Sequence, residues 1–264
     1  MKIAIIGAGN LGLSMAKGLI INNAVTTLYL TKRNIESIQD WSDYKNVKIS
    51  SDNREAVMNS DILIFALQPK HLEKTLLEVA DLLTDNHVII STVTGFKISK
   101  IENLIGSDNF IIRSMPNTAI SVGKSITCVC YNKKGKKRIN IAIAIYNRLG
   151  TTIEIPEEQM QAATVICASG IAFWMRLIRA TTQGAIQLGF ESHIAQEMAM
   201  QTCLGAATLL IQNGKHPEEE IDKVTTPSGC TIEGLNEMEH QGLSSSLIKG
   251  IVTSFEKISQ ISKN

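Results

Sequence analysis

The sequence predicts an α/β fold: a mainly parallel, doubly wound sheet over residues 1–155, followed by an all-α segment over residues 156–264. Three observations carry this reading. Short, fully apolar runs alternate with helical patterns through the first half, as strands do when both sheet faces are covered by crossover helices. A turn with three glycines closes the first of these runs and opens a helix. After Pro156 the strand signals stop, and apolar residues recur at spacings of three and four.

The first strand is expected at Ile3 to Ile6, followed by Gly7, Ala8, Gly9, Asn10, Leu11, Gly12 and a helical pattern through Met15, Ala16, Leu19 and Ile20. Further strands are expected at Thr26 to Leu30, Val47 to Ser50, Ile62 to Leu67, Val88 to Thr92, Ile111 to Ser114 and Ile126 to Cys130. Between them lie helical segments around Arg54 to Met58, Leu72 to Leu83 and Ile139 to Leu149. The pattern changes after Thr151 to Ile155. Pro156 with Glu157 and Glu158 reads as a helix start, since proline suits the first turn and carboxylates favour the positive end of the dipole. Helices are then expected around Met160 to Cys167, Phe173 to Leu188, His193 to Asn213 and Leu247 to Ser259. Those between 173 and 213 carry so little charge that a subunit interface is expected there.

Composition narrows the function classes. With 44% hydrophobic and 19% charged residues and a formal charge of +1, the chain is globular and lacks a field that would gather nucleic acid or an anionic membrane. The longest cationic stretch, Lys133 to Arg138 around Gly135, reads as a solvated turn. The first apolar run starts directly after Met1 and Lys2, with no segment resembling a signal peptide, and no window approaches the ~18 consecutive apolar residues of a membrane helix. A cytoplasmic protein is expected. Five cysteines without CxxC spacing argue for reduced thiols, and five histidines without ligand spacing argue against a metal site.

The chemistry concentrates in four places. Gly7, Gly9 and Gly12 allow, in turn, a tight turn, close backbone approach to a pyrophosphate, and packing of helix on strand, which is the fingerprint of a Rossmann dinucleotide site. The second strand ends in Thr31, Lys32, Arg33 and Asn34 where an NAD-preferring site would carry a carboxylate; two cations there suit a 2′-phosphate. NADPH is therefore expected, with NADH as the weaker alternative and Glu36 as the ribose ligand if the two cations are merely solvated. Arg113 to Thr118 follows a strand at the sheet's carboxyl edge, where Asn117 and Thr118 offer an amide and a hydroxyl. The stretch Val224 to Leu235 is a turn of small residues ahead of a helix. It reads either as a carboxylate socket or as an ordinary helix start capped by Ser or Thr.

With these motifs in this order, the chain resembles the pyrroline-5-carboxylate reductase family from end to end: Ile6 to Gly12, Met15 to Leu19, Asn53 before a helix, Asp61 to Pro69, Arg113 to Thr118 and Thr225 to Leu235. The resemblance implies a Rossmann domain and a helical dimerisation domain, forming a homodimer or higher homo-oligomer that reduces a small cyclic imino acid, 1-pyrroline-5-carboxylate, to proline with NADPH. It further implies cofactor contacts from Gly7, Gly9, Asn10, Leu11, Gly12, Lys32, Arg33, Asn53 and Asn117. Substrate contacts would come from Thr226, Gly229, Cys230 and Thr231, with Thr231 catalytic through its hydroxyl near the ring nitrogen. The chain departs from the family pattern at Gln68, where a lysine is usual, at Ile171 in place of proline, and at Ser228 in place of the first of two glycines. A reductase of a different cyclic imino acid and a non-catalytic NADP-binding regulator are the alternative readings. A β-hydroxy acid dehydrogenase of similar layout would need a lysine on a helix of the second domain, and residues 157–214 contain none.

Overall fold

The computed structural model of the chain describes residues 1–261. The sheet opens with β1 (Lys2–Ile6), which leads through α1 (Asn10–Ile21) to β2 (Thr27–Thr31) and then to β3 (Val47–Ser50). Next, α2 (Asn53–Met58) returns the chain to β4 (Ile62–Phe65) on the other side of β1. From there α3 (Pro69–Val79), β5 (Val88–Ser91), α4 (Ile98–Ile105) and β6 (Phe110–Met115) extend the sheet outward. The eight strands lie in the order β3-β2-β1-β4-β5-β6-β7-β8, so the winding reverses beside β1, the point at which open α/β sheets bind ligands.

The apolar runs are continuous because both sheet faces are buried. Ile3, Ile5, Leu28, Leu30, Ile62 and Ile64 pack on one face against Met15, Ala16 and Leu19 of α1, whereas Ala4, Ile6, Leu63 and Phe65 pack on the other against Leu72, Leu76 and Val79 of α3. Each strand thus contributes alternate residues to two separate apolar layers.

Two features depart from simple parallel winding. Strand β7 (Ser125–Tyr131) runs antiparallel to β6. Residues 116–124 between them hold only a short 3-10 turn, too little chain for the crossover that a parallel return requires. After α5 (Ile139–Tyr146) the chain forms β8 (Gly150–Glu154), parallel to β7, where the sequence showed only a change of pattern. As an edge strand with Thr151, Ile153 and Glu154 exposed, β8 lacks the continuous apolar run that marks the central strands.

The described residues divide into two compact units: Met1–Ser169 together with residues 254–261, and Gly170–Thr253. The division at 169/170 lies beyond the expected boundary at 155/156, because residues 157–169 pack on the sheet although they are helical. Met160 of α6 (Met160–Ala163) is buried with Met115, Cys128 and Cys130. Glu157 accepts a hydrogen bond from Ile98 N–H at 2.7 Å and pairs with Arg113 at 2.6 Å. A π-helical turn, Thr164–Ser169, then joins α6 to α7 (Gly170–Gln187).

In the second unit, α7 packs on α8 (Ser192–Asn213), followed by α9 (Pro217–Val224), α10 (Cys230–His240) and the start of α11 (Leu243–Ile261). The stretches Glu157–Gln187 and Ser192–Asn213 are long and apolar enough to cross a membrane, with mean hydropathies of 1.4 and 1.2. The expectation from unbroken apolar runs understated this, since Arg176, Arg179, Glu197 and small polar residues interrupt the runs without much lowering the average. Trp174, Met175, Leu188, Leu204 and Ile211 are all exposed in the single chain.

The Arg113–Glu157 pair yields a stability prediction. Arg113 is 5% exposed, so Glu157→Ala leaves a buried guanidinium without its counter-charge. We expect a loss of about 3 kcal/mol in urea denaturation, at the lower end for a broken buried pair because Glu157 itself is partly solvated. A loss under about 0.5 kcal/mol would show that water reaches Arg113 freely.

Candidate functional site

A cavity of about 800 Å³ opens at the carboxyl ends of β1, β2 and β4. Its base is the turn after β1. Gly7 has φ +104°, and a Cβ there would lie 2.6 Å from the Ala66 carbonyl oxygen beyond β4. At Gly12 a Cβ would stand 2.4 Å from the Gly7 carbonyl oxygen, so both positions require glycine for α1 to sit on the turn. Gly9 differs: nothing lies within 4 Å of its missing side chain, leaving the turn open for a ligand's backbone to approach. Gly9 also caps α1 with no side-chain hydrogen bond, so the first-turn N–H groups of Asn10, Leu11 and Gly12 present the positive end of the helix. The turn itself is tied to β2 by Gly7 and Ala8 N–H donating to the Thr31 carbonyl.

The cavity wall is cationic. Lys32 and Arg33 follow β2, and Lys70 and Lys74 stand one turn apart on α3; all four line the cavity. Among the described residues none of the four takes part in a salt bridge. Among the described residues Glu78 is the one carboxylate in the lining, and it accepts hydrogen bonds from Asn53 Nδ2 at 3.2 and 3.4 Å. The Asn53 Oδ1 in turn accepts from the Thr31 hydroxyl at 2.7 Å, which fixes the amide between β2 and α3. A site with four cations, a hydroxyl, an oriented amide and an uncapped helix start is chemically suited to a polyphosphate ester.

Lys70 and Lys74 were not singled out from the sequence, although lysines at i and i+4 after the strand-ending proline were a readable sign of one helix face. Gln68 also lines the cavity, and the charge missing there is supplied from α3. Asn117 stands outside the lining. Its Oδ1 accepts from Ala119 N–H, its Nδ2 donates to the Cys167 carbonyl at 3.0 Å, and its own N–H donates to Ser125 Oγ, so its hydrogen-bonding capacity is largely used within the fold.

The other group of expected residues falls in the second unit. Thr226 to Gly229 form a turn closed by Gly229 N–H donating to the Thr226 carbonyl at 2.9 Å, and α10 begins at Cys230. Gly229 caps that helix without any side-chain hydrogen bond, so the reading of a start capped by Ser or Thr does not apply. Thr226 and Cys230 are exposed, and Thr231 is half-buried on the first turn. Ser228 has φ +57°, so this departure from the glycine pair sits in the left-handed region where a side chain carries a steric cost. Among the described residues no three of His, Cys, Asp and Glu gather as a metal site.

Comparison with known proteins extends this picture. Residues 157–261 match a family model described as pyrroline-5-carboxylate reductase dimerisation, and residues 2–95 match one described as NADP oxidoreductase, coenzyme F420-dependent. The chain is 42% identical to pyrroline-5-carboxylate reductase 1 of Dictyostelium discoideum, over 98% of this chain but 49% of that one, so it spans about half that relative's length. It is also 42% identical to reductase 2 of the same organism, over 98% of this chain and 92% of the relative. A crystal structure of Plasmodium falciparum pyrroline carboxylate reductase with NADP bound superposes with a TM-score of 0.90 at 23% identity, covering 99% of this chain and 98% of that one.

The two kinds of glycine in the β1 turn separate by experiment. Gly12→Ala forces a Cβ onto a backbone oxygen that cannot yield, and we expect a loss of about 1–3 kcal/mol in urea denaturation. Gly9→Ala meets open space and is expected to cost less than about 1 kcal/mol while weakening nucleotide binding in a fluorescence titration. Equal stability losses for both variants would remove the distinction.

Proposed function

The chain belongs to the pyrroline-5-carboxylate reductase family, and from that premise we propose that it reduces 1-pyrroline-5-carboxylate to proline, with NADPH as the reductant. The observation that carries this reading is near full-length likeness: 42% identity over 98% of the chain and 92% of a relative of that name. The cavity fits the cofactor. The Gly7 and Gly12 contacts form a cradle that side chains would fill, Gly9 leaves room for a pyrophosphate, and the unpaired Lys32 and Arg33 suit a 2′-phosphate. Asn53 orients the ribose end, Asn10 and Leu11 offer backbone N–H groups, and Asn117, whose side chain bonds Ala119 N–H and the Cys167 carbonyl, acts by holding the segment after β6.

Bound NADPH supplies the hydride. The chain's own residues bind and orient the imine. The uncapped start of α10, with Thr226, Gly229 and Cys230, receives the substrate carboxylate, and the Thr231 hydroxyl bonds the ring nitrogen as it becomes an amine. No histidine or carboxylate pair is required, because a protonated iminium carbon is already electrophilic. The exposed apolar helices of residues 157–261 are covered by a second copy of the chain, giving at least a homodimer. The odd cysteine count without disulfide spacing supports a cytoplasmic setting.

Incubation with pyrroline-5-carboxylate and NADPH tests the proposal directly: proline must appear as NADPH is consumed. In Lys32→Ala combined with Arg33→Ala, losing charge-assisted hydrogen bonds of about 1.5–3 kcal/mol each raises the NADPH KM at least about tenfold and narrows the preference over NADH. An unchanged preference would place phosphate recognition elsewhere. Thr231→Ala and Thr231→Val keep the backbone N–H groups of α10 and remove the hydroxyl. Turnover is expected to fall about 10- to 100-fold with NADPH affinity and urea stability little altered. Normal turnover in both variants would reduce Thr231 to a first-turn residue without chemistry.

A further inference from the structure

A pair of thiols lies outside the lining of the cavity. Cys128, central in β7 and paired in register with Met115 of β6 and Ile153 of β8, places its Sγ 3.8 Å from the Sγ of Cys167 on the π-helical turn. In the single chain Cys128 is buried and Cys167 half-buried, which makes Cys167 the more accessible of the two. The two sulfurs are also chemically unequal. Contact between the two thiols, in which either sulfur can donate, lowers the Cys167 thiol below the ordinary range and raises that of Cys128. Cys130, two residues along the same strand, is pushed up to about 12 by burial and provides an internal comparison. Cys167 lies on a π-helical turn, where the regular α-helical ladder is already interrupted.

We propose that Cys128 and Cys167 are a redox-reactive dithiol, which hydrogen peroxide converts to a disulfide joining β7 to the π-turn. The Cys167 thiolate attacks one peroxide oxygen, the O–O bond breaks, and the other oxygen leaves as hydroxide that takes up a proton to become water. The resulting sulfenic sulfur is attacked by Cys128, the S–S bond forms, and the hydroxyl leaves as a second water with the Cys128 proton. Two thiols are oxidised and one peroxide is reduced. In a reducing compartment such a bond is transient, which is the character of a sensing disulfide rather than a structural one. Its closure acts on the β6–β7 connection as well, because the Cys167 carbonyl accepts the Asn117 amide. The proposal does not depend on the reductase reading, and its test reads thiols rather than activity.

The experiment takes the reduced full-length chain, exposes it to hydrogen peroxide, blocks remaining thiols with iodoacetamide, and maps peptides by mass spectrometry. The expected product is a Cys128–Cys167 cross-linked peptide, two hydrogens lighter than the separate thiols and restored by dithiothreitol. Its rate of formation rises with pH as the attacking Cys167 thiolate, favoured by the neighbouring thiol, accumulates. Cys128→Ser and Cys167→Ser each abolish the cross-link, the former leaving Cys167 as a dimedone-reactive sulfenic acid, and Cys130→Ser retains it. Cross-linking of Cys167 to Cys130 or to a thiol of the second unit, or over-oxidation of Cys167 while Cys128 stays alkylatable, would overturn the proposal. The peptide map of the unsubstituted chain decides this even where a variant fails to fold.

Discussion

The first unit depends on one backbone contact, the seating of α1 on the turn after β1. A Cβ at Gly12 would stand 2.4 Å from the Gly7 carbonyl oxygen, and one at Gly7 would stand 2.6 Å from that of Ala66. Because neither exists, helix and strands approach to backbone contact, and the uncapped start of α1 faces the gap where strand order reverses. The same turn bonds to the Thr31 carbonyl, so β2 and its trailing cations are held in register with it. Buried apolar layers on both sheet faces make this arrangement rigid, and the cavity results from strand order and two missing side chains.

On that frame the electrostatics are assembled from separate elements. Lys32 and Arg33 come from the end of β2, Lys70 and Lys74 from α3, and the Thr31–Asn53–Glu78 chain of hydrogen bonds spans the space between. Gln68 in place of the family's lysine does not leave the site short of charge, since α3 presents two ammonium groups from the helical ridge that follows. Long flexible side chains on a helix reach a phosphate from several angles, so the position of the cation is less constrained than its presence.

The second unit follows a different logic. Its long helices bury few residues within the chain and expose large apolar side chains. Residues 157–169 link the two regimes: helical by period, they are nonetheless fastened to the sheet through Met160 and the Glu157–Arg113 pair. The family's dimerisation region and the compact unit therefore begin at different places, at residues 157 and 170. One boundary follows secondary structure and the other follows contact.

The sequence by itself determined whatever depends on neighbours along the chain. Apolar runs marked six strands because burial on both faces leaves little alternation, a weaker β-branched pattern marked the edge strand β3, the glycine spacing marked the turn, and Pro156 with two glutamates marked the change to helix. Strand β8 escaped because an edge strand needs apolar residues on only part of its surface. The antiparallel β7 escaped because direction is set by the length of residues 116–124 rather than by composition. Only the tertiary structure decided which side chains meet. Asn117, read as a ligand from its place after a strand, is bonded within the fold; Lys70 and Lys74 join Lys32 and Arg33 across the cavity; Cys128 and Cys167 come into contact between a strand and a π-turn. Periodicity is written locally, whereas convergence is set by long-range packing.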